Sequence, residues 1–282
     1  MPRDLVLVRH GQSEANVLQA QWKEGESPEL PDWFEDRHDW QHPLSQEGRE
    51  QARLAGQWIL ENIGDIAEFE GRFVSPYLRA RQTAYEVGRH VVSFWSDDRI
   101  IERDWGVYGV TPRPELDRLF PETQRMKRQS AWYARLDGGE SMNDIFYHVR
   151  DFFGTLHREY ADKQVIAVTH GEKIWSTMYV VERLLPEAWQ ALEDEKSLRL
   201  TNGTVVHYTK INPEDPTDQR SKLSWRRISR PTEPETSPYG GQWVELPPRE
   251  PLSPEYLNLG PEEVTAVATK ALADRLAQYR TS

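Results

Sequence analysis

The chain has 282 residues, a formal net charge of −11 at pH 7 and no cysteine. This acidity argues against general nucleic-acid binding, which depends on a basic surface, and the lack of cysteine excludes disulfides, thiolate catalysis and cysteine-ligated metals. The four apolar residues before Arg9 are too few for a signal peptide, and no apolar run has the length of a membrane span. We therefore expect a cytoplasmic protein with no membrane partner, long enough for one large domain or two small ones.

The first predicted element is a strand that is followed by side chains able to bind an anion or act as a nucleophile. Residues 5–8 are all apolar and lead directly into Arg9, His10 and Gly11, which is typical of a buried strand in a parallel sheet. Open sheets of this kind bind ligands beyond the carboxyl ends of their strands. There Arg9 offers a fork of donors that suits phosphate, and His10 can be neutral near pH 7 and attack phosphorus.

Residues 17–43 form an aromatic and acidic segment with three prolines. We interpret it as a long loop or short irregular helices beside the strand end. Two roles stay open, a loop that shapes specificity or a surface excursion held by its aromatic side chains. His38 and His42, with Asp36 and Asp39 nearby, have a spacing that could imitate a metal pair, but the composition favours a solvated acidic loop.

Helical signals then alternate with a second short strand. Ser45 is a good cap for a helix that runs to about residue 62. Residues 73–74 form a short strand, and residues 75–76 begin another helix because proline suits the first helical position. That helix carries Arg79.

The second half contains another strand of the same design as the first. Residues 142–156 have the apolar period of a helix, with Ser141 as its cap. Residues 165–169 are then an apolar run that ends in His170 and Gly171. If the two His-Gly strands are neighbours, both imidazoles lie at one rim of one sheet.

The C-terminal part differs from the rest in composition. A helix over residues 172–185 and a last strand over 204–208 precede the proline-rich residues 211–260, which have no periodicity and predict an extended wrap. Residues 261–279 form a helix with an apolar stripe. We expect this helix to dock on the core, and a partner-binding role is the alternative.

Four short motifs, taken together, identify a family. They are Arg-His-Gly at residues 9–11, Ser-Pro-Tyr-Leu-Arg-Ala-Arg-Gln-Thr-Ala at 75–84, the segment 100–106 and the second His-Gly at 170–171. The chain resembles the histidine phosphatase superfamily, also called the phosphoglycerate-mutase-like family, over about residues 4 to 209. The resemblance implies an α/β fold of three layers, a mainly parallel central sheet with helices on both faces, plus a C-terminal extension. We predict a catalytic domain over residues 1–210 with 17–43 as an inserted loop, the extended wrap over 211–260, and a C-terminal helix within 261–282.

The resemblance also implies roles for five residues. His10 would attack the phosphoryl group, and Arg9 and Arg79 would clamp its oxygens. His170, when protonated, would donate to the phosphoryl group during transfer. Glu102 would protonate the leaving oxygen and then activate water, because negative charge nearby can keep its carboxyl protonated.

Further positions are implied to hold the phosphate. They are Ser13, Asn16 and Gly171, besides Arg9, Arg79 and His170. No group of residues has convincing ligand type and spacing for a metal, so we expect phosphoryl transfer without a metal or any other cofactor.

Three functions are compatible with these residues. The first is a phosphomonoesterase that works through phosphohistidine on His10, the second is a phosphoglycerate-type mutase, and the third is a non-catalytic protein that binds a phosphorylated ligand. Mutases usually have Glu where Gln12 stands and Asn where Glu172 stands, and a carboxylate facing the pocket would repel a substrate carboxylate. We therefore predict a hydrolase of a phosphorylated small molecule, and leave open the ester and any homo-oligomer.

Overall fold

The computed structural model describes residues 1–23, 34, 36–109, 111, 113–189, 191, 199–234, 240–248 and 250–277. Its strands are β1 (Asp4–Arg9), β2 (Gly71–Val74), β3 (Trp95–Ser96), β4 (Gln164–Thr169), β5 (Val205–Thr209), β6 (Trp225–Ser229) and β7 (Val244–Glu245). Within the described residues these seven strands form one sheet, in the order β3-β2-β4-β1-β5-β6-β7.

The strands that carry the predicted motifs are neighbours in the parallel half of this sheet. β1 and β4 are parallel, with Leu5 opposite Val165 and Arg9 opposite Thr169. β2 and β3 continue the parallel pairing beyond β4, whereas β5, β6 and β7 are antiparallel. The prediction that the two His-Gly strands lie side by side is confirmed, and the α/β sheet is mixed around a mostly parallel core.

Helices cover both faces of the sheet. The helices of the described residues are α1 (Glu14–Lys23), α2 (Gln46–Asn62), α3 (Leu78–Val87), α4 (Arg113–Leu119), α5 (Pro121–Gln129), α6 (Met142–Glu159), α7 (Gly171–Glu182), α8 (Pro254–Leu257) and α9 (Pro261–Ala277). Leu5 and Leu7 belong to a core with α6 and α7, while Val6 and Val8 belong to a second core with α2 and α3. Successive strand residues point to opposite faces, so the apolar residues 5–8 of β1 contribute to both cores, and the predicted three layers are confirmed. Among the described helices, none has the length and apolarity needed to cross a bilayer.

Helix α2 begins where the sequence predicts, but α3 does not. The Ser45 side chain accepts a backbone hydrogen bond in the first turn of α2. α3 begins only at Leu78, two residues after the predicted start, with Tyr77 as its N-cap residue. The reason is that the Ser75 amide still donates to the Val168 carbonyl, at 3.0 Å, so the chain leaves the sheet later than Pro76 suggests.

Part of the aromatic segment is a regular helix. Residues 17–23 continue α1, whose start is fixed by two reciprocal bonds. The Asn16 amide donates to Ser13 Oγ at 3.2 Å, and the Ser13 amide donates to Asn16 Oδ1 at 3.1 Å, as in a capping box. Positions 24–33 and 35 of the predicted loop lie outside the described residues.

The C-terminal part adds two strands that its proline content did not predict. β6 and β7 fall within residues 211–260 and extend the sheet beyond β5. α9 lies against the short turn Pro186–Ala188, and its Ala268 and Leu272 are buried in the core that contains α6 and α7.

Candidate active site

Two histidines meet at the carboxyl rim of the sheet. β1 ends at Arg9 and β4 ends at Thr169, so His10 and His170 follow at the same rim. The His10 amide donates to the Thr169 carbonyl at 2.9 Å, and the two imidazole centroids are 5.0 Å apart at an angle of 61°. One phosphoryl group can therefore contact both rings.

The environment of His10 fixes its tautomer. Nδ1 lies 2.7 Å from the Gly11 carbonyl oxygen, and Nε2 lies 3.3 Å from Nε of Arg79. A carbonyl only accepts and a guanidinium only donates, so Nδ1 carries the proton and Nε2 the lone pair. Burial, then the charges of Arg79 and Arg9, lower the pKa of His10 well below its usual value. The ring is neutral at pH 7, which a nitrogen nucleophile requires.

Gly11 lets the turn after β1 lie directly on two helices. Its amide donates to Thr83 Oγ1 of α3 at 3.0 Å. A Cβ at this position would lie 2.0 Å from the Gly48 carbonyl oxygen of α2, so no larger residue fits without moving the backbone. The turn that sets the His10 ring is thus held by α2 and α3.

Arg79 and Arg9 bring two guanidinium groups to the same rim. Arg79 is buried in α3, and besides His10 it contacts Asp39. Arg9 Nη1 donates to the Leu200 carbonyl, and its buried Nε has no hydrogen-bond partner among the described residues. Burial lowers the pKa of Arg9 to about 10, so it remains a cation at pH 7.

Glu102 is placed beside the second histidine. Its Oε2 lies 3.6 Å from His170 Nδ1, and its Oε1 accepts the Arg103 amide at 2.9 Å. Burial raises the pKa of Glu102, although the charge of Arg79 opposes that rise. A carboxyl group with a raised pKa can hold a proton for a leaving group.

His170 is fully buried and is neutral in its surroundings. Its Nε2 lies 2.8 Å from Ser75 Oγ, and its ring packs edge-on against Tyr77. Burial, then the charges of Arg79 and of His10 if protonated, lower the pKa of His170 well below its usual value. A role as a proton donor therefore depends on an anion beside the ring, which would raise that pKa.

The lowered pKa values of His10 and His170 predict that the folded protein loses stability in mild acid. In the unfolded chain each titrates near 6.5, whereas the folded pKa values are lower, so the unfolded state binds more protons below pH 6.5. Their contribution to stability is complete above that pH and is lost as the pH falls toward the folded pKa values. We expect the unfolding free energy from urea titrations to fall more steeply between pH 6.5 and 5 in the wild type than in His10→Asn/His170→Asn, by about 2–3 kcal/mol per pH unit. Equal slopes would contradict the burial of two neutral histidines.

The other predicted phosphate-binding residues lie around this centre. Ser13 and Asn16 are bonded to each other at the start of α1, and Asn202 Nδ2 donates to the His10 carbonyl at 2.9 Å and to Asn16 Oδ1 at 3.4 Å. Gly171 begins α7 and packs against Arg9, because a Cβ there would lie 3.3 Å from Arg9 Nε. The structure brings these residues to the rim, and their contact with phosphate stays a prediction.

Ser75, Asn202 and Asp39 lie at the site although the sequence pattern assigned them no role there. Ser75 follows β2 directly, and that strand ends at the same rim as β4, so its place after a strand was an available signal. Asn202 and Asp39 have no comparable signal, because they reach the rim from loops.

Glu172 stands next to the site and lies against a cation. Its Oε2 is 3.5 Å from Nη1 of Arg103, which follows Glu102 in the chain and stacks on Trp105 at 5.0 Å. The next residue, Lys173, is buried, and burial lowers its pKa to about 8. The charge of Glu172 is therefore partly offset by Arg103.

His10, Glu102 and His170 also form the one group of possible metal ligands in the described residues. One ligand atom from each lies within 4.8 Å of the others, a grouping that the sequence spacing does not show. However, Arg9 and Arg79 are close enough to lower the pKa of both histidines. Two fixed positive charges oppose a divalent cation and favour an anion.

Comparisons with known proteins agree with this arrangement. A family model described as the histidine phosphatase superfamily (branch 1) matches residues 5–210. A protein of Afipia carboxidovorans named 2,3-bisphosphoglycerate-dependent phosphoglycerate mutase is 30% identical over 198 residues, which cover 66% of this chain and 84% of that protein. Phosphoserine phosphatase 1 of Hydrogenobacter thermophilus is 27% identical over 167 residues, covering 59% and 70%. The solved structure of a mycobacterial glucosyl-3-phosphoglycerate phosphatase has the same fold, with a TM-score of 0.56, 23% identity and coverage of 80% and 97%.

Proposed function

Because the chain belongs to the histidine phosphatase superfamily, branch 1, we propose that it hydrolyses phosphate monoesters through a phosphohistidine on His10. The observation that carries this proposal is the state of His10. Its Nδ1 proton is held by the Gly11 carbonyl, and its Nε2 lone pair faces a guanidinium in a buried site. Such a nitrogen is a nucleophile once phosphorus takes the place of its hydrogen bond from Arg79 Nε, and the same arginine can then hold the phosphoryl group beside it.

In the first step, Nε2 of His10 attacks phosphorus and the bond from phosphorus to the ester oxygen breaks. Glu102, whose pKa is raised by burial, gives its proton to that oxygen, so the alcohol leaves neutral. Arg9 and Arg79 stabilise the charge on the phosphoryl oxygens. His170 donates to the same oxygens once their charge has raised its pKa.

In the second step, water attacks the phosphorus of phosphohistidine. The carboxylate of Glu102 takes a proton from that water, the bond between nitrogen and phosphorus breaks, and orthophosphate leaves. His10 returns to its neutral form. Glu102 thus acts as acid and then as base, and all atoms balance without a metal or an organic cofactor.

Two residues favour hydrolysis over transfer to a second hydroxyl. Gln12 replaces the usual Glu of mutases, and its Oε1 accepts the Ser45 hydroxyl at 2.9 Å, which draws the side chain toward the start of α2. Glu172, which is paired with Arg103 next to the site, stands where mutases usually have Asn, and a carboxylate that faces the pocket there would disfavour a substrate with its own carboxylate. A mutase is the second candidate, because a relative that is 30% identical bears that name. A purely binding role has less support, because every matched catalytic position is filled.

The substrate class that we propose is a phosphorylated small molecule. The net charge of −11 disfavours a nucleic-acid partner. A cytoplasmic location remains our prediction.

The test is a panel of phosphate esters assayed with the purified protein. We expect release of orthophosphate from at least one alkyl ester, with the same rate in the presence and absence of EDTA, because two arginines supply the positive charge. Inclusion of 3-phosphoglycerate with and without 2,3-bisphosphoglycerate separates the candidates: an isomerised product with little orthophosphate would assign a mutase. Activity lost in EDTA and restored by one divalent ion would contradict the metal-free mechanism.

A further inference from the structure

The guanidinium of Arg79 is already engaged by a carboxylate. Asp39 Oδ1 lies 3.0 Å from Nη1, and Asp39 Oδ2 lies 3.0 Å from Nη2. The Asp39 carbonyl oxygen also accepts from Nη1, at 2.7 Å. This fork-to-fork contact has the geometry with which arginine holds two oxygens of a phosphate.

Asp39 and a phosphoryl group therefore compete for the end-on pair of donors, Nη1 and Nη2. An arginine side chain has five N–H groups, and the contacts with Asp39 and His10 use four of them. The one that remains is on Nη2, and it can make a two-point contact only together with Nε, which the contact with His10 occupies. Arg79 can use its end-on pair, Nη1 and Nη2, to clamp two phosphoryl oxygens only after Asp39 has left.

The turn that carries Asp39 is built to move as a small unit. The turn Asp39–Gln41 has no buried residue, and its N-terminal capping bonds are local ones to His38. Its C-cap residue His42 is buried and stacks on Phe34. The chain beyond it is fixed, because Leu44 is buried and its amide donates to Gln82 of α3 at 2.7 Å. The Asp39 side chain is itself 46% exposed, and because no residue of the turn is buried, lifting it removes no side chain from the core.

Asp39 also affects the proton donor as a bound anion would. Burial raises the pKa of Glu102, and the negative charge of Asp39 adds to that rise. The Asp39 carboxylate thus does two things that a bound phosphoryl group would do: it binds the guanidinium of Arg79, and it raises the pKa of Glu102. Asp39 can therefore act as a competitor of phosphate that belongs to the chain itself.

We propose that Asp39 closes the phosphate site by occupying Arg79, and that the phosphoryl group of the substrate displaces the turn Asp39–Gln41 in order to bind. The inference rests on the proposed function in one respect, that Arg79 binds phosphate. After hydrolysis the carboxylate returns to Arg79 and helps to expel orthophosphate. Asp39 therefore weakens binding of free phosphate and sets how tightly an ester must bind to open the site.

The test is calorimetric titration of orthophosphate into the wild type and four variants. Asp39→Asn removes the competing charge, and we expect it to bind orthophosphate about tenfold more tightly, which corresponds to about 1.4 kcal/mol. Asp39→Glu keeps a carboxylate and should stay closer to the wild type than Asp39→Asn does. Asp36→Asn is the matched control, because it removes an exposed acidic charge from the same segment and should change affinity less than twofold.

The fourth variant, Asp39→Asn/Arg79→Ala, separates this inference from the proposed function. If Asp39→Asn binds orthophosphate no more tightly than the wild type while the double variant loses binding, the phosphate site stands and the competition is wrong. Weaker binding by Asp39→Asn would overturn it as well, since Asp39 would then position Arg79. If the double variant binds as Asp39→Asn does, or if no variant binds orthophosphate, Arg79 is not a phosphate ligand and both proposals fail.

Discussion

Replacing His10 with alanine should lower turnover of every phosphate ester by at least about 10⁴-fold. The change removes the nitrogen that forms the bond to phosphorus. The imidazole of His170 cannot replace it, because both of its nitrogens face other groups. His170 Nε2 is engaged with Ser75, and its Nδ1 faces Glu102. The measurement is steady-state release of orthophosphate from the best ester of the panel.

The matched control for this prediction is His90→Ala. His90 is exposed, stacks on Tyr85 and contacts Glu86, at the far end of α3 from Arg79. Its replacement should leave turnover within about twofold of the wild type, because surface substitutions change little. If His10→Ala kept more than about a hundredth of wild-type activity, another group would be the nucleophile and the covalent mechanism on His10 would be wrong.

The fold and the centre of the site were predictable because their signals are local in the sequence. An apolar run long enough for one strand, ending in His-Gly, occurs at residues 5–11 and again at 165–171. Two such strands in a parallel sheet share a rim, and the structure pairs them directly. The prediction needed no knowledge of the loops between them.

The state of the histidines could not be predicted in the same way. The partner that fixes the tautomer of His10 is the Gly11 carbonyl, and every residue has a carbonyl. The protonation of His170 depends on how deeply it is buried and on the distance to Arg79. The tautomer of His10 and the protonation of His170 are both set by the packing of distant elements. The sequence therefore predicts that the two histidines belong to the site but not their protonation states.

The sequence also failed to predict the contacts and strands that lie in the loops and the C-terminal part. Asp39 belongs to a segment whose acids and aromatics suggest only a solvated loop, yet its carboxylate reaches Arg79. β6 and β7 were missed because nine prolines in residues 211–260 obscure the period of short strands. In both places the structure depends on contacts between residues far apart in the chain.

Glu102→Gln should lose about 10²–10⁴-fold of turnover on alkyl phosphates, because the amide cannot protonate the leaving oxygen or accept a proton from water. An aryl phosphate behaves differently, since its leaving group needs no proton in the first step. With such an ester the variant should still transfer the phosphoryl group to His10 but hydrolyse it slowly. Glu172→Gln is the matched control, because it neutralises the neighbouring carboxylate, which lies against Arg103.

The most direct test of the mechanism is therefore a rapid-quench experiment on Glu102→Gln with an aryl phosphate. The mechanism predicts a burst of aryl alcohol equal to the enzyme concentration, matched by an acid-labile phosphohistidine that maps to His10, with slow release of orthophosphate afterwards. Glu172→Gln should show wild-type hydrolysis and little trapped intermediate. If Glu102→Gln matched the wild type on both alkyl and aryl esters, Glu102 would not be the acid and base. If a burst occurred without phosphate on His10, His10 would not be the nucleophile.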